Sequence, residues 1–445
     1  MKYYAEALNY IFGLNSNRRI FLKFGFERME KVLSALHNPQ DSLNSVHIAG
    51  TKGKGSTISF LSFILREKYS TGLFTSPSLV NTNERISING ELIPPADFLY
   101  YANLLRDFYE KLNPDDVPTT FETFTIMAFL YFNDKKTDIS LFEVGMGGRL
   151  DATNIIKKPL VSVITPISYD HQNLLGSTLS QIAEEKAGII KENVPVIVGK
   201  QENEALIKIL EVAERKNSQA IVYGRDFLID NFKEDEDGIE FDFKSLFSDV
   251  CFRGLKAKLY GKHQAENAAV AIQTALVLNK MGYKIEESDI RRGLKKAFWP
   301  GRLEVVSHSP FIILDGAHNG ASARALNSAL NLMKSGRKIF VLGILKDKNV
   351  DDVLSELAKD RDAIFVLTEV PFSGKRRLPV HILKAFVKKY VPAKNIFYFR
   401  DFTKAFFFSQ RMAKDSDIIC VTGSLYLVAS VRKLTNHFVF SSNIL

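Results

Sequence analysis

The sequence predicts an α/β protein of two domains. The larger, residues 1–298, is a mostly parallel sheet domain with a small antiparallel element. The smaller, residues 299–445, is a second α/β unit. Three observations carry this. Short β-branched runs alternate with longer amphipathic stretches, as in sheets buried between helices. That texture changes around residues 227–259. It is then broken by Phe298-Trp299-Pro300-Gly301-Arg302, where proline and glycine together cannot continue a helix.

The elements follow in order. Val46-His47-Ile48-Ala49-Gly50, residues 139–144, 160–165 and 194–198 read as buried strands. Helical patterns occupy residues 56–67, 96–112, 121–133 and 179–191. Alternating segments flank the charged turn Asp230 to Gly238, which includes Glu236, and predict antiparallel hairpins. A helix starts near His263 and runs through Ala268, Ala271 and Ala275. In the second domain, residues 311–314, 338–343, 363–367 and 418–421 read as four core strands.

Composition bounds the function. Hydrophobic residues make up 46% and charged residues 24% of 445, which excludes a disordered chain or a disulfide scaffold. The two cysteines, Cys251 and Cys420, lie in or near apolar runs and read as buried free thiols of a reducing cytosol. No apolar stretch reaches the ~18 residues that span a bilayer. The segment Met1 to Ile20 lacks a signal-peptide pattern. A cytoplasmic monomer without membrane attachment is expected. The net charge of +9 admits polyanionic partners such as nucleic acid, a nucleotide or a polycarboxylate. No nucleic-acid motif accompanies it.

The strongest local signal is Gly50-Thr51-Lys52-Gly53-Lys54-Gly55-Ser56, between a predicted strand and a predicted helix. Glycines let backbone N–H groups converge on a phosphate, and the helix start adds partial positive charge. Lys54 follows Gly53 in the Gly-Lys pair and is the better phosphate ligand, while Lys52 adds field. Glu143 ends a predicted strand before a glycine-rich turn, so its carboxylate should emerge at the ligand-binding edge of the sheet. His171 also follows a strand.

The loop resembles that of the Mur ligase superfamily. Further motifs occur in order: Thr75-Ser76-Pro77, Asn83-Glu84-Arg85-Ile86-Ser87, Glu143 through Asn154, Asp170-His171, Glu185-Lys186-Ala187-Gly188-Ile189, Gly301-Arg302, Asp315-Gly316-Ala317-His318-Asn319 and Thr422-Gly423-Ser424. This set is similar to the folylpolyglutamate synthase and dihydrofolate synthase family. The resemblance implies a P-loop NTPase-like ATP-binding domain and a Rossmann-like glutamate-ligase domain.

It also implies the reaction. ATP phosphorylates a folate or pteroate carboxylate, and glutamate's amine displaces phosphate from the acyl phosphate to form an amide. The acceptor is a reduced folate, dihydropteroate, or both. The resemblance assigns Ser76, Glu143 and His171 to Mg²⁺. It allows Lys186 a CO₂-derived carbamate, which if formed would hold a second Mg²⁺; some relatives manage without it. Read alone, Lys186 would be a salt-bridging helix residue. Lys54, His171 and Lys186 are the expected catalytic group. Asn267, Arg302 and Asp315 join the phosphate loop around ATP, so that both domains would contribute to one site. Folate or pteroate should meet Gly25, Phe26, Thr120, Phe121, Glu122, Leu150, Asp151 and Ala152. Phe26 and Phe121 read equally as ring-stacking or core residues. L-Glutamate should meet Arg85, His318 and Ser424. Lys52, Ser78 and Gly320 depart from residues common in relatives.

Two rivals stand beside this reading. One is a Mur-type ligase of a nucleotide-linked cell-wall precursor, although no uridine-nucleotide domain precedes the phosphate loop. The other is a non-enzymatic basic NTP-binding module, which leaves the carboxylate cluster unexplained.

Overall fold

The computed structural model describes residues 1–14, 25–235, 237–333 and 336–441, with side chains described to residue 435. Glu236 of the charged turn and Asn15 to Ile20 of the N-terminal segment lie outside the described residues. The chain forms two compact units. The first comprises Met1–Phe232, Glu240–Ala257 and Lys262–Ala297; the second comprises Lys233–Ile239, Lys258–Gly261 and Phe298–Leu445.

The first unit is built on eight strands: β1 (Ser45–Ala49), β2 (Thr71–Phe74), β3 (Ile86–Ile88), β4 (Glu91–Leu92), β5 (Ile139–Glu143), β6 (Val161–Ile164), β7 (Val196–Val198) and β8 (Ala220–Val222). Their order is β4-β3-β2-β5-β1-β6-β7-β8. Pairing is parallel from β2 to β8 and antiparallel at β3 and β4. Every residue of β1 and β5 is buried, as expected of strands covered on both faces. One core packs Phe98, Phe124, Phe129 and Phe132 against Phe74 and Phe142. Another packs Ile182, Ile189, Ile209 and Val212 against Ile164 and Val198.

Register decides where the site falls. Ile48 on β1 is aligned with Glu143 on β5 and with Val163 on β6. The segments that leave β1, β2, β5 and β6 therefore emerge at one C-terminal edge, where parallel α/β sheets bind ligands.

Three more strands, β9 (Phe227–Asp235), β10 (Gly238–Ser245) and β11 (Val250–Ala257), form a sheet ordered β11-β10-β9. Connections this short join antiparallel neighbours, which matches the expected hairpins. The second unit carries β12 (Glu304–His308), β13 (Phe311–Leu314), β14 (Lys338–Leu342), β15 (Ile364–Thr368), β16 (Ile396–Phe399) and β17 (Ile418–Thr422). Their order is β12-β13-β17-β14-β15-β16. All pairs are parallel except β12 with β13.

The expected strands are the central ones of each sheet. Sequence reading missed β2, β3, β4, β8, β12 and β16, which lie nearer the edges or are too short to show an apolar run. The helix expected over residues 179–191 ends at Ala187. A Cβ on the next residue, Gly188, would lie 2.5 Å from the Arg149 Cα, so this crossing of two backbones requires glycine. Cys251 is corrected from buried to exposed, because it faces outward on β11, while Cys420 is buried as expected. Among the described residues no helix is long and apolar enough to cross a membrane.

Candidate active site

The phosphate loop leaves β1 at Gly50 and enters the helix Lys54–Leu65. Gly53 has φ 82°, a left-handed conformation that favours glycine. Asn267 packs against it: a Cβ on Gly53 would come within 2.5 Å of the Asn267 Oδ1. Asn267 is buried and donates through Nδ2 to Gln264 at 3.1 Å. The N–H groups of Thr51 and Lys52 donate to the Pro166 carbonyl, both at 3.0 Å, so the loop is tied to the segment after β6. The first-turn N–H groups of the helix have no partners within the helix itself, which leaves them available to an anion. Ser56 is buried in that turn and Gly55 is half-buried.

Three charged side chains converge beside this loop. Lys54 Nζ donates to the Gly50 carbonyl at 3.1 Å and lies 4.0 Å from Glu143 Oε1. Lys186 Nζ donates to the same carbonyl at 3.1 Å. Glu143 Oε2 accepts the Ser76 N–H at 3.2 Å. Burial raises the proton affinity of Glu143, and Lys54 opposes that shift. Burial first, then the neighbouring Lys54 charge, brings Lys186 down to about 8. Two lysines on one carbonyl oxygen beside a buried carboxylate make a concentrated field suited to a phosphate chain.

Glu143 offers a hard oxygen donor whose burial leaves it in need of a cation, which fits Mg²⁺. His171, also an expected ligand, lies beside Asp170. Its imidazole is exposed and 3.8 Å from Asp170, and no described contact joins it to Ser76 or Glu143. It sits at φ 47° before the short helix Gln172–Leu175. Among the described residues no three His, Cys, Asp or Glu side chains form a metal-holding group.

Several expected folate contacts are committed elsewhere. Glu122 binds Arg28 through both oxygens, at 2.8 and 3.2 Å, and caps its own helix through the Thr119 N–H. The buried Thr120 hydroxyl donates to the Ile11 carbonyl at 2.8 Å. Asp151 is buried and accepts from the Met146 N–H, the Thr153 N–H and the Thr153 hydroxyl. All three groups are thus tied into the fold by intramolecular bonds. Ala152 is buried, while Leu150, Gly25 and Phe26 are half-buried. Phe121 lies 5.8 Å from Phe74, ring to ring, and a Cβ on Gly145 would meet its edge at 2.5 Å. Phe26 and Phe121 both pack against the core while remaining partly open.

Arg85 lies near Glu143, with its guanidinium 5.3 Å from the Phe124 ring centre. Its Nε is buried without a hydrogen-bond partner among the described residues. Sequence reasoning missed the neighbouring Glu84. That carboxylate accepts the N–H groups of Leu79, Val80 and Asn81 at 2.7–3.1 Å and so shapes the loop that begins at Ser76. The signal was the motif itself, in which only Arg85 had been given a role.

In the second unit, Asp315 follows β13. It is buried and accepts the N–H groups of Leu303 and Ala317 at 2.9 and 2.8 Å. Burial raises its proton affinity, and Arg302 opposes that shift. His318 Nδ1 is 2.7 Å from the Gly316 carbonyl. Ser424 follows β17, and its hydroxyl accepts the Tyr426 N–H at 3.2 Å. The two loops are joined by the Gly423 N–H on the Ala317 carbonyl, at 2.9 Å.

Fold and site together define a nucleotide-binding α/β ligase. Residues 48–275 match the Mur ligase middle domain, and residues 301–425 match the Mur ligase glutamate ligase domain. The chain is 35% identical to a Bacillus subtilis dihydrofolate synthase/folylpolyglutamate synthase, over 97% of this chain and 98% of that one. It is 34% identical to the folylpolyglutamate synthase of Lacticaseibacillus casei, with the same coverage. Among solved structures it resembles Mycobacterium tuberculosis folylpolyglutamate synthase complexed with ADP, with TM-score 0.84, 30% identity and coverage of 97% and 98%. The chain belongs to the folylpolyglutamate synthase/dihydrofolate synthase family of Mur ligases.

Proposed function

We propose that the protein is an ATP-dependent ligase that joins L-glutamate to reduced folates, and to dihydropteroate as well. The observation that carries this is the meeting of Lys54, Lys186 and Glu143 around Gly50, at the C-terminal edge of the parallel sheet. A cell-wall precursor ligase is disfavoured by relatives that span nearly the whole chain and are folate-class enzymes.

The chain's own groups have separable tasks. The first-turn amides and Lys54 hold and neutralise the β- and γ-phosphates. Glu143 would hold Mg²⁺, with the Ser76 hydroxyl beside it and His171 drawn in from its exposed position. When bound, Mg²⁺ shields the phosphate oxygens from the incoming carboxylate. Lys186 is the candidate for the carbamate, since that chemistry needs a buried amine of lowered proton affinity. The substrate carboxylate attacks the γ-phosphorus as ADP leaves, and the glutamate amine then displaces phosphate and loses its proton. Arg302, Asp315, His318, Ser424 and Arg85 remain the candidates for ATP and glutamate contacts. We read the enzyme as a cytoplasmic monomer that uses no nucleic acid.

The test is ADP release by purified protein with MgATP, comparing tetrahydrofolate and dihydropteroate, with and without glutamate. Glutamate-dependent release with both acceptors is expected. Release with tetrahydrofolate alone removes the dihydropteroate activity, and release indifferent to glutamate removes the ligase reading.

A further inference from the structure

The buried polar group least explained by this reaction is His47, on β1. It is fully buried, three residues before Gly50, and its Nδ1 has no hydrogen-bond partner among the described residues. Its Nε2 lies 2.8 Å from the Thr153 hydroxyl. That hydroxyl donates its single proton to Asp151 Oδ1 at 2.6 Å, so it must accept a hydrogen from His47. Nε2 therefore carries a proton. Burial, with the Lys191 charge nearby, brings His47 down to about 3, so it stays neutral at every working pH.

The chain of bonds continues into the site. Asp151 Oδ2 accepts the Met146 N–H at 2.9 Å, within the turn that directly follows Glu143 and Val144. The next residue along, Asn154, donates to the Arg149 carbonyl at 2.9 Å and to the Gly188 carbonyl at 3.1 Å. A Cβ on Gly148 would meet the backbone of Glu185 and Lys186 at 2.7–3.0 Å, so this turn lies directly against the helix that carries Lys186. The segment Asp151–Asn154 thus touches the strand before the phosphate loop and the turn after Glu143, and that turn in its own right touches the backbone of Lys186.

We propose that Thr153 is a positioning residue for the ligase reaction: by relaying a hydrogen bond from His47 to Asp151, it fixes Glu143 and Lys186 relative to the phosphate loop. The inference rests on the ligase reading of the site. Thr153 touches no substrate. It acts through Asp151 on the Gly145–Arg149 turn, and the relay needs a hydroxyl that accepts and donates at once. Valine has the shape without the hydroxyl; serine has the hydroxyl without the methyl.

The test compares Thr153→Val and Thr153→Ser with the natural protein. Glutamate-dependent ADP release is measured together with amide hydrogen exchange at Met146. Thr153→Val should lower kcat by about 10–100-fold, as displaced catalytic groups do, with KM for ATP changed less than about threefold. Met146 should exchange faster, and Thr153→Ser should restore both quantities. If valine does not yield folded protein, Thr153→Ala is read in the same way. A Thr153→Val protein with natural kcat, or a serine variant as slow as the valine one, overturns the proposal. Natural protein without turnover would instead remove the ligase reading, and exchange at Met146 then decides whether the relay holds the turn.

Discussion

Replacing Lys54 with alanine is expected to lower glutamate-dependent ADP release by about 10²–10³-fold, the range for losing one preorganised donor to developing charge. Among the described contacts the ammonium is the one that reaches both Gly50 and Glu143. Its loss removes positive charge where the γ-phosphate would sit and leaves Glu143 buried with less compensation. Lys54→Arg should not rescue, because a planar guanidinium does not fill the place of a compact ammonium. Lys52→Ala is the control. Lys52 is exposed, and its loss should cost only about threefold, as for a weak screened field. Steady-state kinetics of the three variants decide between the two lysines, and a larger effect at Lys52 would reverse the assignment.

Lys186→Ala is expected to lose a comparable share of turnover, and the natural protein should show a pH-dependent response to CO₂. Lys186 titrates at about 8 instead of the ordinary 10.5. At pH 7 about a tenth of it is therefore the neutral amine, against about one part in three thousand for a free lysine. Carbamate formation on the nucleotide-free protein should rise about fivefold in initial rate from pH 7 to pH 8, as the neutral fraction approaches half. Carbon-13 NMR with labelled bicarbonate reads it directly, and Lys186→Ala should lack the signal. Absence of signal in the natural protein would leave Lys186 as a cation acting on phosphate. The same shift has a sign for stability. Between about pH 8 and 10.5 the unfolded chain binds more protons at this residue, so its contribution to stability rises with pH through that window.

The sequence made the central strands legible because they are apolar on both faces. The run from Ile139 to Glu143 admits hardly any other reading. It hid β2, where Gly72 interrupts the run, and β12, where the polar Ser307 and His308 occupy an edge. The phosphate loop and Glu143 were legible because glycine spacing and a strand-end acid carry their chemistry locally. The bonds of Glu122, Thr120 and Asp151 were not legible, because their partners, Arg28, Ile11 and Met146, are chosen by packing and not by motif. His47 was legible only as part of the strand and motif leading to Gly50: its imidazole becomes informative when Thr153 is seen against it.

The most direct test of the central claim follows oxygen. The acceptor folate, labelled with oxygen-18 in its reacting carboxylate, is incubated with the protein, MgATP and glutamate, and the inorganic phosphate released is analysed by mass spectrometry. Attack of that carboxylate on the γ-phosphorus predicts one labelled oxygen in the phosphate for every amide formed. Phosphate free of label, alongside amide product, would contradict an acyl-phosphate ligase.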